Sequence, residues 1–290
     1  MNKLYILLIF FICAACNHNA QESSKETISV SIAPFKYFVD KISDGSFNVN
    51  IMVPPGSDPH IYEPYPGQIR NIRYSAAFIS DGFLGFEKTW LARFYETNKK
   101  MRRLSLGDTI KPISYSGDPD TEFKGGKDPH FWVSLTEGRK IAASVKNLLC
   151  SLNPESVENY ELNYKELDSS ILRLDSTAHL LFAGFAGQSF MIYHPNLSYL
   201  ARDYKLNEIS VEYKGKEPTP SRMKELIDIA KEKNIKTIFI QKESDTKNAR
   251  TIALEVGAEV KVIDPLSEDW LGSMRDIIYA LDSSFLKNRK

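Results

Sequence analysis

Four residues with metal-binding side chains stand in proline-containing turns beside apolar, β-prone runs. They are His60, His130, His194 and Asp264. The loops that follow strands line the ligand crevice of open α/β sheets, so we expect turns of this kind to meet there. Three imidazoles and one carboxylate make a complete tetrahedral shell for a divalent ion such as zinc. A closed shell favours carriage of the ion over catalysis.

The remaining two of the five histidines have no local support as ligands. His18 stands in a polar N-terminal stretch, and His179 stands within a helical pattern. His60, in contrast, follows the stiff turn Pro54-Pro55-Gly56-Ser57-Asp58-Pro59, which fixes where its imidazole points. A single histidine or Asp-Pro turn is more often structural. The placement of two candidates in each half of the chain is what favours a shared site.

Strand-like and helical patterns alternate in both halves of the chain. Predicted strands cover Ile28–Ala33, Val49–Val53, Ala76–Ile79, Arg102–Leu106, Ser189–Tyr193, Glu208–Val211, Lys236–Ile240 and Glu259–Ile263. Predicted helices include Pro34–Ile42, Pro66–Tyr74, Leu197–Tyr204, Ser221–Lys233 and Thr246–Val256. Strands that alternate with helices favour parallel sheets built from βαβ units.

Between the two halves, residues from about Thr136 to Phe182 show apolar side chains at helical spacing, with a break at Asn153-Pro154. The predicted fold is therefore α/β, with two similar lobes, each a parallel β-sheet flanked by helices, joined by a long rigid helix. The boundaries that follow are an N-terminal lobe over residues 27–135, a linking helical region over 136–183 and a C-terminal lobe over 184–290.

The N-terminus is typical of a secretory signal, with Lys3, an apolar run over Leu4–Ile12 and small residues before Cys16. This run is too short to span a bilayer as a helix. The pattern resembles a lipobox in which Cys13 replaces the usual Leu. It predicts a signal peptide over residues 1–15, a lipid-modified Cys16 and a tether over 16–26. We thus expect an exported lipoprotein, periplasmic or on the cell surface, anchored to the membrane.

Composition narrows the classes of partner. Lys plus Arg and Asp plus Glu number 37 each, which gives no electrostatic signal for nucleic acid. With 42% hydrophobic residues, the chain can bury a proper core. Only Cys150 would remain in the folded part after processing, so no intramolecular disulfide is expected. We expect a monomer.

Several of these turns together resemble one protein family. The matching segments are Val53 to Pro64 (VPPGSDPHIYEP), Asp128 to Trp132 (DPHFW), His194-Pro195 with Tyr199 to Tyr204 (YLARDY), Glu217 to Pro220 (EPTP) and Asp264-Pro265-Leu266. Their order and spacing resemble the metal-binding members of the zinc/manganese solute-binding protein family, which serve bacterial ABC importers. The resemblance implies that His60, His130, His194 and Asp264 are the metal ligands, with the metal between two lobes. It also implies an integral-membrane ABC permease with its ATPase as the partner.

Two departures from the family bear on the metal. Many zinc-binding members carry a long loop rich in histidine before the second ligand, whereas Ser114–Lys127 contains none. Manganese-selective members usually place a carboxylate at the third ligand, where this chain has His194. Because imidazole is softer than carboxylate, Zn²⁺ is the predicted transported ligand, and Mn²⁺ or Fe²⁺ stays open.

Other functions are compatible with parts of this pattern. A zinc hydrolase needs an open coordination position and a nearby base, and the chain has no HExxH motif. Glu63 could serve as that base, but we interpret it as a loop carboxylate near the metal that accepts hydrogen bonds, so no enzyme is predicted. An adhesin or metal scavenger without a transporter would show the same sequence. A binding protein for iron chelates or haem needs a wide cleft instead of four convergent donors.

Overall fold

The computed structural model of the chain describes residues 25–114, 126–212, 216–242 and 247–289. The predicted signal peptide, Cys16 and most of the predicted tether lie outside these ranges, as does His18. Among the helices within them, none combines the length and the apolar character that a bilayer span requires.

The described residues form two sets of alternating strands and helices. The strands are β1 (Thr27–Ile32), β2 (Asn48–Val53), β3 (Ser75–Ser80), β4 (Arg102–Ser105), β5 (Ser189–Ile192), β6 (Asn207–Ser210), β7 (Thr237–Gln241) and β8 (Glu259–Ile263). The α-helices are α1 (Ala33–Ser43), α2 (Pro66–Ile72), α3 (Gly85–Thr97), α4 (Leu135–Leu152), α5 (Val157–Phe182), α6 (Ser198–Tyr204), α7 (Pro220–Glu232), α8 (Lys247–Val256) and α9 (Trp270–Asn288). Each predicted strand lies within one residue of the observed bounds.

Two four-stranded parallel sheets with the same connectivity organise the molecule. The first has the order β2-β1-β3-β4 and the second β6-β5-β7-β8. In each sheet, the first strand of that half of the chain is an interior strand and the second is an edge strand. The chain runs from the first strand outward to the second, and the third and fourth strands are then added on the other side of the first. The order of strands therefore reverses beside the first strand. Ligands of open parallel sheets bind at such a reversal, outside the carboxyl ends of the strands. The predicted pair of parallel sheets flanked by helices is confirmed.

The predicted linking region contains two helices that pack against each other. Helices α4 and α5 run antiparallel, and ion pairs join them at Arg139 with Asp168 (2.7 Å) and Lys146 with Glu161 (2.6 Å). The break at Asn153-Pro154 holds a short 3-10 turn. The reversal between the helices therefore occurs where proline and its preceding residue disfavour a continuous helix.

Helix α5 reaches elements of both halves. Its 26 residues span roughly 39 Å at the rise of an α-helix. Near its start, Asn163 donates a hydrogen bond to the carbonyl of Ile42 in α1 (3.0 Å). At its end, Phe182 packs against Phe285 of α9 with ring centroids 6.0 Å apart. This is the long helix that the sequence predicts, and α4 lies beside it on α1.

A single apolar core runs through both halves. It includes Ile28 of β1, Ile171 of α5, Phe239 of β7 and Phe285 of α9, all fully buried. A smaller cluster on the other face of the second sheet packs α7 and α8 onto β7. Because the large core is continuous between the sheets, the two halves resist wide opening as rigid bodies.

The apolar run after His130 differs from the sequence-based expectation. Phe131–Val133 forms a 3-10 helix, although the run was expected to be β-prone. All three side chains are buried, and the turn leads directly into α4, where Ser134 caps the helix by accepting a hydrogen bond from the Glu137 amide. A run of three apolar residues has no periodicity that separates a strand from a buried turn.

Candidate metal centre

Three of the four predicted ligands meet in one cluster. His60 follows β2, His194 follows β5, and His130 precedes the 3-10 turn at Phe131. One ring nitrogen from each imidazole lies within 4.8 Å of the other two. Among the described residues, this is the group of histidine, cysteine and acidic side chains whose spacing could hold a metal ion.

The nitrogen spacing fits tetrahedral zinc. The Nε2 atom of His130 lies 3.2 Å from that of His60 and 3.3 Å from that of His194. With zinc–nitrogen bonds of about 2.0–2.1 Å, tetrahedral geometry places two nitrogen ligands roughly 3.3 Å apart. The three rings also surround a common point, with centroids 5.1, 5.1 and 5.2 Å from one another.

A buried carboxylate fixes the ring of His130. Asp128 Oδ1 accepts hydrogen bonds from both the backbone amide and Nδ1 of His130, each at 2.9 Å. Asp128 is fully buried and His130 is 2% exposed. Since the carboxylate holds the proton on Nδ1, the lone pair of Nε2 faces the other two imidazoles and is available to an ion between them.

His194 is held in the same way from the other half of the chain. Its Nδ1 lies 2.8 Å from Glu212 Oε2. The side-chain amide of Gln241 clamps its backbone, accepting from the His194 amide (3.3 Å) and donating to the His194 carbonyl (2.7 Å). The ring and the main chain of this residue are thus both oriented by side chains at the carboxyl ends of neighbouring strands.

The turn that carries His60 is fixed by local contacts. Asp58 Oδ1 accepts a hydrogen bond from the His60 amide (2.8 Å), an Asx turn. Gly85, the first residue of α3, lies so close to this turn that a Cβ there would clash with the His60 carbonyl oxygen. The approach of α3 to the histidine therefore requires glycine at position 85.

Burial favours the neutral form of His60 and His130. It lowers the pKa of His60 well below the ordinary value of 6.5, and the neighbouring His130 and His194 lower it further. Burial also lowers the pKa of His130, although the bond to Asp128 opposes part of that shift. Neutral imidazole is the form that binds a metal ion.

The imidazoles line a small cleft between loops of the two sheets. Its volume is about 300 Å³, and its walls include Trp132, Pro265 and Leu266. Asp128 and Glu212 lie directly behind the imidazoles of His130 and His194, and their charges would balance a divalent cation bound to neutral imidazoles. The arrangement can hold a single ion and screen it with apolar side chains.

Asp264 lies beside the cleft but outside the imidazole cluster. It follows β8, and the next two residues, Pro265 and Leu266, reach the cleft wall. Its Oδ2 atom lies 3.5 Å from Nζ of Lys242, and its side chain is 35% exposed. Glu63 is exposed and is likewise not part of the cluster. The structure thus brings together three of the four predicted ligands.

Sequence patterns did not single out the residues that orient the imidazoles. Asp128 stands two positions before His130, in a motif from which only the histidine is predicted to bind metal. Glu212 lies just past β6, and Gln241 ends β7. Position after a strand was the available signal for both, but polar residues are common at strand ends and the signal is weak.

Comparison with known proteins shows which family and which relatives the chain is similar to. A family model described as zinc-uptake complex component A, periplasmic (ZnuA), matches residues 28–284. The zinc-binding lipoprotein AdcA of Streptococcus pneumoniae serotype 4 is 25% identical over 279 residues, which cover 91% of this chain and 55% of AdcA. The chain therefore spans about half the length of that relative.

Two further similarities cover nearly the full length of the matched protein. The manganese ABC transporter substrate-binding lipoprotein PsaA of Streptococcus anginosus is 22% identical over 280 residues, covering 90% of this chain and 88% of PsaA. A crystal structure of ZnuA superposes with a TM-score of 0.83 at 32% identity, covering 89% of this chain and 98% of that one.

Proposed function

The chain belongs to the family of the periplasmic zinc-uptake complex component A, and on that premise we propose that it captures Zn²⁺ outside the cytoplasm and delivers it to an ABC importer. The observation that supports this proposal best is the convergence of His60, His130 and His194, with the nitrogen of His130 at tetrahedral spacing from the other two. In this function the metal is cargo, and the protein binds it without chemical conversion.

The proposed ligand set is His60, His130, His194 and Asp264. The three imidazoles provide a preformed face, and the Asp264 loop supplies the fourth donor from the second half of the chain. For Asp264 to bind, its carboxylate has to leave Lys242 and turn toward the cleft that Pro265 and Leu266 already line. The last step of capture is then a local movement of one loop, consistent with a core that is continuous between the sheets.

The donor types support zinc as the cargo. Three nitrogen donors and one oxygen donor suit zinc, and manganese binds most weakly of the first-row divalent ions at a given site. Relatives of this chain carry names of both kinds, AdcA as zinc-binding and PsaA as a manganese transporter lipoprotein. In this proposal the choice between the two metals rests on His194, the ligand at which a carboxylate would harden the site.

The proposed setting is the periplasm or the cell surface, with the protein anchored to the membrane. AdcA and PsaA are both named as lipoproteins, which supports lipid anchoring of this chain at Cys16. The proposed partner is an integral-membrane permease with its ATPase, which a monomeric binding protein would visit from the membrane surface. The boundaries at residues 135/136 and 183/184 remain our proposed division into lobes and linker.

Metal analysis of the protein purified without added metal tests the proposal. We expect bound zinc, and competition with a chelator of known affinity should give tighter binding for zinc than for manganese. Uptake of radioactive zinc by cells that lack the gene should return with the parent gene and fail with His130→Ala. A protein that carries manganese, or cells whose zinc uptake does not depend on it, would overturn the proposal.

A further inference from the structure

The phenol of Tyr199 connects the two halves of the chain directly behind the metal centre. Tyr199 lies on α6, five positions after His194, and its side chain is fully buried. Its hydroxyl donates a hydrogen bond to the carbonyl of Asp128 (2.8 Å) and accepts one from the amide of Ile113 (3.1 Å). One hydroxyl thus contacts two backbone groups that are far from it in sequence.

The phenol occupies a position inside an antiparallel backbone pair. Ser114 and Lys127 form an antiparallel bridge, and the amide of Asp128 donates to the carbonyl of Ile113 (2.9 Å). A hydrogen-bonded antiparallel pair ordinarily exchanges a second bond, here from the Ile113 amide to the Asp128 carbonyl. The Tyr199 hydroxyl accepts from that amide and donates to that carbonyl, so it links the two groups in place of the second direct bond.

Asp128 carries this constraint to the metal centre. Its carbonyl accepts the hydrogen bond from the Tyr199 hydroxyl, while its carboxylate accepts both hydrogen bonds that orient His130. We infer that Tyr199 is a positioning residue for metal capture, because its hydroxyl sets where Asp128 holds the His130 ring relative to His194. The inference rests on the proposed function, since it concerns how that site is kept in order.

The surroundings of the ring support this role. Phe131, next to His130, packs edge-on against it with centroids 6.4 Å apart, and the guanidinium of Arg202 lies over it, 4.9 Å from the centroid. Burial raises the pKa of Tyr199, so the hydroxyl keeps the proton that it donates. A ring fixed on both sides delivers its hydroxyl to one place, as positioning requires.

A matched pair of variants tests the inference. Tyr199→Phe removes the hydroxyl and keeps the packed ring. Tyr204→Phe makes the same change on the same helix, where the Tyr204 hydroxyl donates to Asp175 of α5 (2.6 Å), away from the metal centre. Both phenols are buried, so the two variants should lose comparable thermal stability.

Zinc affinity separates positioning from general stabilisation. We would measure zinc dissociation constants by chelator competition at a temperature where thermal unfolding shows both variants folded, and record the visible absorption of bound Co²⁺ as a probe of ligand geometry. We expect Tyr199→Phe to weaken zinc binding about tenfold or more, as changes behind metal ligands do, and to alter the Co²⁺ spectrum. Tyr204→Phe should match the parent in both.

Each other outcome is decisive. Parent-like zinc affinity in Tyr199→Phe, with only a lower unfolding temperature, would make the phenol purely structural. Equal weakening in Tyr204→Phe would assign the effect to packing of α6 in general. If the parent itself fails to bind zinc, the proposed function fails and this inference falls with it, whereas a parent that binds zinc alongside an unaffected Tyr199→Phe refutes the inference alone.

Discussion

The Nε2 atoms of His130 and His194 face each other 3.3 Å apart, and each ring directs its Nδ1 to a carboxylate of its own half of the chain. With the protons held on Nδ1, two lone pairs point at one another. That contact repels unless a proton or a cation lies between the nitrogens. The fold therefore keeps two donors of a nitrogen site in place, and the free energy of binding an ion is not spent on assembling them.

Loss of any one imidazole should weaken zinc binding. We expect His60→Ala, His130→Ala and His194→Ala each to lower zinc affinity at least about tenfold, or roughly 1.4 kcal/mol, measured by chelator competition. His130→Ala should also lower the unfolding temperature of the metal-free protein, because it leaves the buried Asp128 carboxylate without its imidazole partner.

His179→Ala is the matched control for these three variants. His179 lies on α5 with its side chain 62% exposed and pairs with Asp175 in the same helix at 3.8 Å. Its removal should leave zinc affinity unchanged. A ligand variant that bound zinc as tightly as His179→Ala would remove its residue from the proposed ligand set.

The stability of the metal-free protein should decrease as pH falls, over a pH range set by the pKa values of His60 in the unfolded and folded states. Burial lowers the pKa of His60 well below 6.5, so in the window below that value the unfolded chain binds a proton that the folded protein does not. Stability attributable to this residue is present above about pH 6.5 and is lost as pH falls toward the depressed folded pKa. We expect thermal unfolding in excess chelator to show this loss.

His60→Asn should reduce that loss, since asparagine does not titrate. Zinc affinity should also fall steeply below about pH 6.5, because protons compete with metal for the imidazole nitrogens. An unchanged pH dependence of stability in His60→Asn would show that other groups carry it. Zinc affinity that stays constant down to about pH 5, with the protein folded, would argue against three imidazole ligands.

Asp264 should contribute to zinc affinity although its carboxylate forms an ion pair with Lys242 in the structure. We expect Asp264→Asn to weaken zinc binding about tenfold through loss of the charged fourth donor. Lys242→Met should leave affinity equal or raise it, by no more than about fivefold, because a partly exposed ion pair is worth at most about 1 kcal/mol. Chelator competition measures both.

The Lys242 variant makes the result for Asp264 interpretable. Parent-like affinity in Asp264→Asn would mean that another donor completes the shell. Weaker binding in Lys242→Met would contradict a competition between the ammonium and the metal for the carboxylate, and would assign Lys242 a supporting role in the loop.

Replacing His194 with a carboxylate should erode the preference for zinc over manganese. Glutamate hardens the site and adds an oxygen donor that suits manganese. Glu212 Oε2 lies 2.8 Å from Nδ1 of His194, so a carboxylate at position 194 would lie beside a like charge. The cleaner background is therefore Glu212→Gln, and we expect His194→Glu in that background to lower the ratio of zinc to manganese affinity at least about tenfold.

Glu212→Gln alone is the control for this comparison. It should weaken zinc binding by about 10- to 100-fold, as expected for loss of a carboxylate behind a metal-binding histidine, and keep the preference for zinc. If the affinity ratio in the double variant equals that in Glu212→Gln, either His194 is not a ligand or loop geometry sets the choice of metal.

The elements were readable from sequence because their signals are local. Buried parallel strands such as β1 read as short apolar runs, and the helices between them carry their own periodicity. The run Phe131–Val133, which looked β-prone and forms a 3-10 helix, is three residues long and buried, so its structure depends on what packs around it. The antiparallel packing of α4 on α5 likewise follows from contacts between helices.

The sequence by itself grouped three histidines in proline-containing turns, and for His60 and His194 the reason is physical, since both turns follow parallel strands in a repeated βαβ order. The tertiary structure decided where the nitrogens point. His130 contacts His60 and His194, which are 70 and 64 residues away in sequence. Asp128, Glu212 and Tyr199 hold these contacts in place through hydrogen bonds that no local pattern encodes. The tertiary structure also pairs the Asp264 carboxylate with the Lys242 ammonium, because the direction of a side chain depends on its neighbours in space and not on its place in a motif.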